Sequence, residues 1–331
     1  MKTRLLGGQG LAVSALGLGC MGMSQDYGPA DEADSIRTIR HALDLGITLI
    51  DTSMSYGAGE NERLVGRALA GRRDEVVLAT KFGIVRDRPG DPARLCARPD
   101  DIRRYCDASL ARLGTDRIDL YYLHRVDPQV PIEDSVGTMA ELVAAGKVRY
   151  LGISETDPAE LERAAAVHPI SAVQYEWSLS WRELEDDIVP LARKLGIGVV
   201  AFSPLGRGFL TGALDLDSLG PDDDRLPDQR FHGEHLARNT DRLRQLSGLA
   251  ADRGITPGQL ALAWLLHQGE DVVPIPGTRS RDRLAENAAA TDIDLSAEDL
   301  AEIEATLARS SWSGSRHSFA VPRTDRRGDT D

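Results

Sequence analysis

Four side chains able to move protons stand at the ends of three successive apolar runs. Thr48–Asp51 ends in Asp51 and is followed by Ser55-Tyr56-Gly57; Val76–Lys81 ends in Lys81; Ile118–His124 ends in His124. A free phenol has a pKa of about 10, too high for an efficient acid at neutral pH. An adjacent ammonium favours phenolate and lowers that value. A carboxylate beside the lysine keeps the ammonium charged and oriented, and a histidine can hold a carbonyl oxygen in line with the phenol. Taken singly, each residue has an ordinary reading: Asp51 as a helix cap, Tyr56 as a loop aromatic, His124 as a satisfied core histidine. Their joint occurrence at neighbouring strand ends points instead to proton transfer. Lys81 needs its own explanation, because only Lys2, Lys81, Lys147 and Lys194 among the 39 basic residues are lysine.

The elements that must position these groups follow an alternating rhythm. Strands are expected at Ala15–Leu18, Thr48–Asp51, Val76–Lys81, Ile118–His124, Val148–Ile153, Ala172–Gln174, Gly198–Phe202 and Val272–Pro274. Helices are expected at Asp34–Leu45, Glu60–Ala70, Asp100–Leu113, Ile132–Ala145, Ala159–Ala166, Glu185–Leu195, Asp241–Arg253, Pro257–Gln268 and Arg281–Ala289. Gly46, Gly114, Gly146, Gly196 and Gly254 stand where a helix ends in a left-handed residue. Near-continuous apolar strands mean a parallel sheet buried on both faces, and eight strand–helix units mean an α/β fold, a (β/α)8 TIM barrel. In such a barrel, chemistry sits at the C-terminal strand ends. The segment Leu5–Ala12 reads as a hairpin closing the barrel floor, and extra helices follow at the C-terminus. The whole chain, 1–331, reads as one barrel domain. Residues 205–239 exceed an ordinary loop and are expected to form a lid; their acidic run Asp222–Asp224 is expected not to pack in a core. Residues 310–331 are expected to fray.

Gly17-Leu18-Gly19-Cys20-Met21-Gly22 satisfies the dinucleotide fingerprint literally. That fingerprint requires a helix beginning within the turn. Gly28-Pro29 and the intervening polar residues forbid one here, so the glycines read as a first barrel strand that a ligand approaches closely.

The formal charge is −13, from 52 acidic and 39 basic residues. This argues against nucleic acid and anionic membrane as partners. Three cysteines without a C-x-x-C spacing argue against a disulfide scaffold or a zinc site and for a reducing compartment. Glycines interrupt the N-terminal apolar stretch, and the longest apolar run, Leu260–Leu266, is far below the roughly 18 residues of a membrane span. A cytoplasmic protein is expected. No metal is expected, for want of an H-x-H pair and of histidine- and carboxylate-rich strand ends.

DTSMSYG, LATKFG and LYYLHR resemble the three signature segments of the aldo-keto reductases. GLGCMGMS, GKVRYLGISE, AVQYEWSL, FSPLGRGFLTG and PIPGTRSRDRLAEN resemble further segments of the family, particularly its microbial and plant branch. The resemblance implies a catalytic tetrad of Asp51, Tyr56, Lys81 and His124, with Tyr56 as general acid. It implies NADPH/NADP+ lying extended across the barrel mouth and a small-molecule aldehyde or ketone as substrate. Carried over residue by residue, Gly22, Met23 and Asp51 would line the nicotinamide ribose, and Ser154 and Gln174 would hold the carboxamide. Phe202 would stack on the nicotinamide where the family usually has tyrosine. Ser203, Leu205 and Gly206 would meet the pyrophosphate, Gly277, Thr278, Arg279 and Arg283 the adenosine ribose and its phosphate, and Glu286 and Asn287 the adenine. Glu155 stands where many members have asparagine. Independently of the resemblance, Arg279, Arg281 and Arg283 crowd a helix N-terminus, where the dipole disfavours cations, and so suggest a waiting anion such as a 2′-phosphate. Substrate-pocket candidates are Tyr27, Arg125, Trp177, Trp181 and Trp312. The alternative implied by the family is a cofactor-binding, redox-sensing subunit of a channel with little turnover.

Overall fold

In the computed structural model, the described residues are 1–316 apart from 25–26, 89–90 and 222. The chain opens with a hairpin of β1 (Thr3–Leu6) and β2 (Leu11–Ser14). Eight parallel strands follow in one sheet: β3 (Leu18–Gly19), β4 (Leu49–Asp51), β5 (Val77–Phe82), β8 (Ile118–Leu123), β9 (Val148–Ser154), β10 (Ala172–Glu176), β11 (Gly198–Phe202) and β12 (Val272–Pro274). A small hairpin of β6 (Ile84–Val85) and β7 (Arg94–Leu95) interrupts the series after β5. A parallel bridge between Gly19 and Gly277 joins the first strand to the segment after the last, and Gly17 N–H donates to Pro274 C=O at 2.9 Å. These contacts close the sheet into the expected (β/α)8 barrel.

Outside the strands run α1 (Glu32–Asp44), α2 (Glu60–Leu69), α3 (Pro99–Leu113), α4 (Ile132–Ala144), α5 (Pro158–Val167), α6 (Ile188–Lys194), α7 (Gly233–Asp252), α8 (Pro257–Leu266), α9 (Arg281–Ala289) and α10 (Ala297–Thr306). Their starts follow from capping chemistry. Asp157 with Glu160, Thr256 with Gln259 and Ser296 with Asp299 form reciprocal capping boxes on α5, α8 and α10. The strands are buried on both faces; every residue of β8 is buried. The barrel interior is filled by Leu49, Ala79, Leu120, Tyr122, Val200 and Val273, and Leu6, Leu11 and Val13 of the first hairpin plug its floor.

The seam explains the glycines of the fingerprint-like motif. A Cβ on Gly17 would lie 2.9 Å from Ile275 Cγ2, and one on Gly19 would lie 2.9 Å from the Ile275 carbonyl oxygen. At both positions the close approach that requires glycine is strand against strand. The first strand accordingly lies later than expected, at Leu18–Gly19, because Leu11–Ser14 is committed to the hairpin and residues 15–17 carry the chain to the seam. Helix α7 begins at Gly233, eight residues before the expected Asp241, because its polar first turns carry no apolar rhythm.

One buried polar cluster fixes two helices against the sheet. Glu62 of α2 has no exposed surface. It accepts from Thr80 Oγ1 of β5 at 2.6 Å and from Arg112 Nε of α3 at 2.6 Å. Replacing it leaves Arg112 as a largely buried cation without its carboxylate. Glu62→Ala is expected to lower stability by about 3–5 kcal/mol, read as a shift in the denaturation midpoint at unchanged m-value.

Candidate active site

The C-terminal ends of β4, β5 and β8 bring Asp51, Lys81 and His124 together, and the turn after β4 adds Tyr56. Lys81 Nζ has no exposed surface and donates to three oxygens: an Asp51 carboxylate oxygen, Thr52 C=O at 2.9 Å and Tyr56 Oη at 3.2 Å. Asp51 uses its other oxygen to accept from Gln174 Nε2 at 2.9 Å. Tyr56 sits in a tight turn in which Gly57 and Ala58 both take left-handed dihedrals, at φ 55° and 52°. Its ring meets that of His124 edge-on, with centroids 5.9 Å apart. Two residues that the sequence reading passed over hold this arrangement. Ser53 Oγ lies 3.1 Å from His124 Nδ1. Asn61 of α2 accepts from Thr52 Oγ1 at 2.6 Å and donates to Cys20 C=O and Ser24 Oγ at 2.9 and 2.8 Å. Their only sequence signal was polarity beside the tetrad segment.

Electrostatics sorts the four groups. Burial lowers the Lys81 pKa, but the Asp51 carboxylate and the neighbouring Tyr56 overcome this and hold it above its ordinary value. Burial drives His124 well below the ordinary imidazole value, helped by the charges of Arg125 and Lys81, so it is neutral at pH 7. Tyr56 departs from the expectation. Burial raises its pKa more than Lys81 lowers it, and the phenol stays protonated well into alkaline pH.

A cavity of about 850 Å³ opens over this cluster. Asp51, Tyr56 and His124 line it, while Lys81 stands behind them. Gly22, Met23, Ser154, Gln174, Phe202, Ser203, Leu205, Gly277, Thr278, Arg279, Arg283, Glu286 and Asn287 also line it; Gly206 does not. Among the substrate-pocket candidates, Tyr27 and Arg125 line the cavity, but Trp177, Trp181 and Trp312 do not. Trp177 is buried against Glu185, to which its Nε1 donates at 2.8 Å. Six arginines (86, 125, 207, 225, 279 and 283) and three carboxylates (Asp51, Asp215 and Glu286) line the wall. A cationic pocket in a chain of net charge −13 favours an anionic occupant. Two of the clustered arginines differ in kind. Arg279 donates to the carbonyls of Tyr27, Gly28 and Pro29 at 3.0, 3.2 and 2.6 Å, so it ties the mouth loops together. Arg283 is exposed and makes no ion pair among the described residues.

The mouth is fastened by buried charge pairs. Glu176, at the end of β10, accepts from Arg230 Nη1 at 2.7 Å and Arg316 Nη1 at 3.1 Å. Burial pushes the Glu176 carboxyl up, but Arg230, Arg316 and Arg207 pull it down to about 2. Arg230 also pairs with Asp228 at 2.7 Å, and Arg207 lies 3.3 Å from the same carboxylate. Arg316 pairs in addition with Glu155, which takes a left-handed φ of 55°. The expectation of a tail fraying from residue 310 is therefore corrected for its first part: Ser313 exchanges hydrogen bonds with Asn239, and the Arg316 side chain is only 6% exposed. Residues 317–331 lie outside the described residues. The long segment after β11 divides similarly. Arg207 and Arg230 are buried anchors, residues 233–239 belong to α7, and Ala213, Leu214, Asp215, Ser218 and Leu219 line the cavity. Contrary to expectation, Asp223 of the acidic run is buried, because Arg225 Nε and Nη2 satisfy its carboxylate at 2.8 and 2.7 Å; Asp222 lies outside the described residues. Arg225 also stacks 4.8 Å from the Tyr27 ring across the mouth.

Among the described residues, no helix is long and apolar enough to cross a membrane. Several known proteins resemble this chain in sequence or in structure. The "Probable aldo-keto reductase 1" of Glycine max is 48% identical over 300 residues, covering 90% of this chain and 86% of that one. The structure of a glycerol dehydrogenase from Gluconobacter oxydans matches with a TM-score of 0.86 at 31% identity, covering 96% of this chain and 99% of that one. An aldo/keto reductase from Klebsiella pneumoniae, solved in complex with NADP and acetate, matches with a TM-score of 0.71 at 30% identity, covering 92% and 95%. Residues 15–308 match the profile of the aldo/keto reductase family, and with a closed barrel carrying Asp51, Tyr56, Lys81 and His124 at its mouth, the chain belongs to that family of oxidoreductases.

Proposed function

We propose that the chain catalyses the reversible NADPH-dependent reduction of an aldehyde or ketone to the alcohol, with Tyr56 donating the proton. The observation that carries this reading is the Lys81 ammonium, bonded at once to Asp51 and Tyr56 beside a neutral His124 on the cavity wall. Bound NADPH would supply the hydride; the Klebsiella pneumoniae relatives were solved with NADP and with NADPH. The donor set suits such a dinucleotide. Gln174 and Ser154 offer polar atoms near Tyr56, Phe202 offers a ring face, and Arg283 offers a free guanidinium at the far end. Gly22, Met23 and Asp51 would line the near end, Ser203, Leu205 and Gly206 the middle, and Gly277, Thr278, Arg279, Glu286 and Asn287 the rest.

The protein's own part is proton management. Tyr56 keeps its proton until substrate oxygen develops charge, because burial holds its pKa up. As the proton leaves, Lys81 Nζ, 3.2 Å from the phenol oxygen, meets the phenolate with a charge-assisted bond. Asp51 balances that ammonium throughout. Neutral His124 can direct a ring N–H to the carbonyl oxygen without adding a competing cation.

Three outcomes test this reading. Tyr56→Phe removes the acid and is expected to lower carbonyl reduction by about 10²–10⁴-fold, while equilibrium titration shows NADPH binding nearly intact. Arg283→Ala is expected to weaken NADPH by roughly 10–150-fold and to leave NADH almost unmoved; equal losses would make Arg283 a structural residue. Residues 213–219 would act as the closing part of the lid, with Arg225 on Tyr27 as its latch. Hydrogen exchange should then slow across 213–219 when NADP+ is added, with residues 228–231 protected in both states; equal protection throughout would leave an ordered excursion and no lid.

A further inference from the structure

Arg125 follows His124 directly and shares the cavity wall with Tyr56, His124 and Ser154. Its Nη1 donates to His124 C=O at 2.7 Å and to Ser154 Oγ at 3.2 Å, which fixes the plane of the guanidinium. No acceptor among the described residues meets its Nε or Nη2, and it makes no ion pair among them. Glu155 is the carboxylate whose field acts on it most, but Glu155 is held by Arg316. Arg125 is half-buried, and burial lowers its pKa, so its charge is poorly solvated as well as unpaired. Elsewhere at this mouth, the buried guanidinium of Arg230 is matched by carboxylates. Arg125 is thus a preorganised cation beside the proposed proton donor, with one two-pronged edge left to bind something.

We propose that Arg125 is a specificity-determining residue that receives a carboxylate on the carbonyl substrate, so that the preferred substrates are oxo-acids. This rests on the reductase reading above and deepens it. A carboxylate matches one guanidinium edge in charge and geometry. An acidic protein as a whole repels such substrates, so the attraction must be local.

The experiment compares acids with their neutral esters in NADPH-driven reduction: 4-oxobutanoate and 4-formylbenzoate, each against its methyl ester. For the wild-type protein, kcat/KM is expected to favour at least one acid by about 10–100-fold. Arg125→Met keeps the apolar stem and should collapse that ratio to within about threefold, and Arg125→Lys should restore part of it. Butyrate should inhibit the wild-type protein more strongly than butyramide, a measurement that needs no variant. Absence of any acid preference in the wild-type protein overturns the proposal. So does an equal loss for acid and ester in Arg125→Met, which would make Arg125 a support for Ser154. If neither acid nor ester turns over although NADPH binds, the reductase reading itself fails and this inference falls with it.

Discussion

The lysine ammonium inside the barrel is the constraint around which the site is arranged. Moving such an ion out of water costs several kcal/mol, and removing its partner exposes that cost directly. Lys81 meets it with Asp51, a backbone carbonyl and the Tyr56 oxygen. Each of these partners then acquires a fixed place. Asp51 must sit one strand away, and the β4–β5 register, which pairs it with Ala79, sets it two residues before Lys81 on the neighbouring strand. Tyr56 must be returned to the lysine by a turn tight enough to need two left-handed residues. Gln174 takes the second Asp51 oxygen and thereby ties β10 to the opposite side of the barrel. The tetrad is one electrostatic solution spread over four elements.

The barrel mouth repeats that logic with opposite consequences. There the buried charges of Glu155, Glu176, Asp228, Arg230 and Arg316 compensate each other, and the result is anchoring. Glu155 illustrates the balance. Its left-handed backbone is one that asparagine tolerates better, and the strain is of the order of 1–2 kcal/mol. The pairing with Arg316 offsets that strain, so the departure from the family's usual asparagine is tied to a partner 161 positions away.

Asp51, Tyr56, Lys81 and His124 were legible as a candidate site because they end or follow apolar runs, and a barrel has to present such residues on one face. The eight-strand rhythm was legible for the same reason: strands buried on both faces are written almost wholly in apolar residues. Features made by distant contacts were not. The seam glycines at 17 and 19 looked like a ligand-binding turn, because nothing local records that Ile275 will lie against them. The polar start of α7, the buried Asp223 and the docked Arg316 all depend on partners that become neighbours only when the barrel has closed. Tyr56 belongs with them: its neighbours were named correctly, but how deeply they would bury the phenol was not written in the sequence.

The ion pairs at the mouth also bear on the order in which the molecule assembles. Glu155 waits for Arg316, and Glu176 waits for both Arg230 and Arg316. Contacts of such wide sequence separation form only after the intervening chain has lost its loop-closure entropy. Apart from the seam that joins residues 17–19 to 274–277, strands β4 to β11 and their helices meet their neighbours over shorter separations. During refolding, hydrogen bonds between these successive strands should therefore become protected before the seam and the mouth are fastened, and ligand-binding competence should lag behind the recovery of secondary structure.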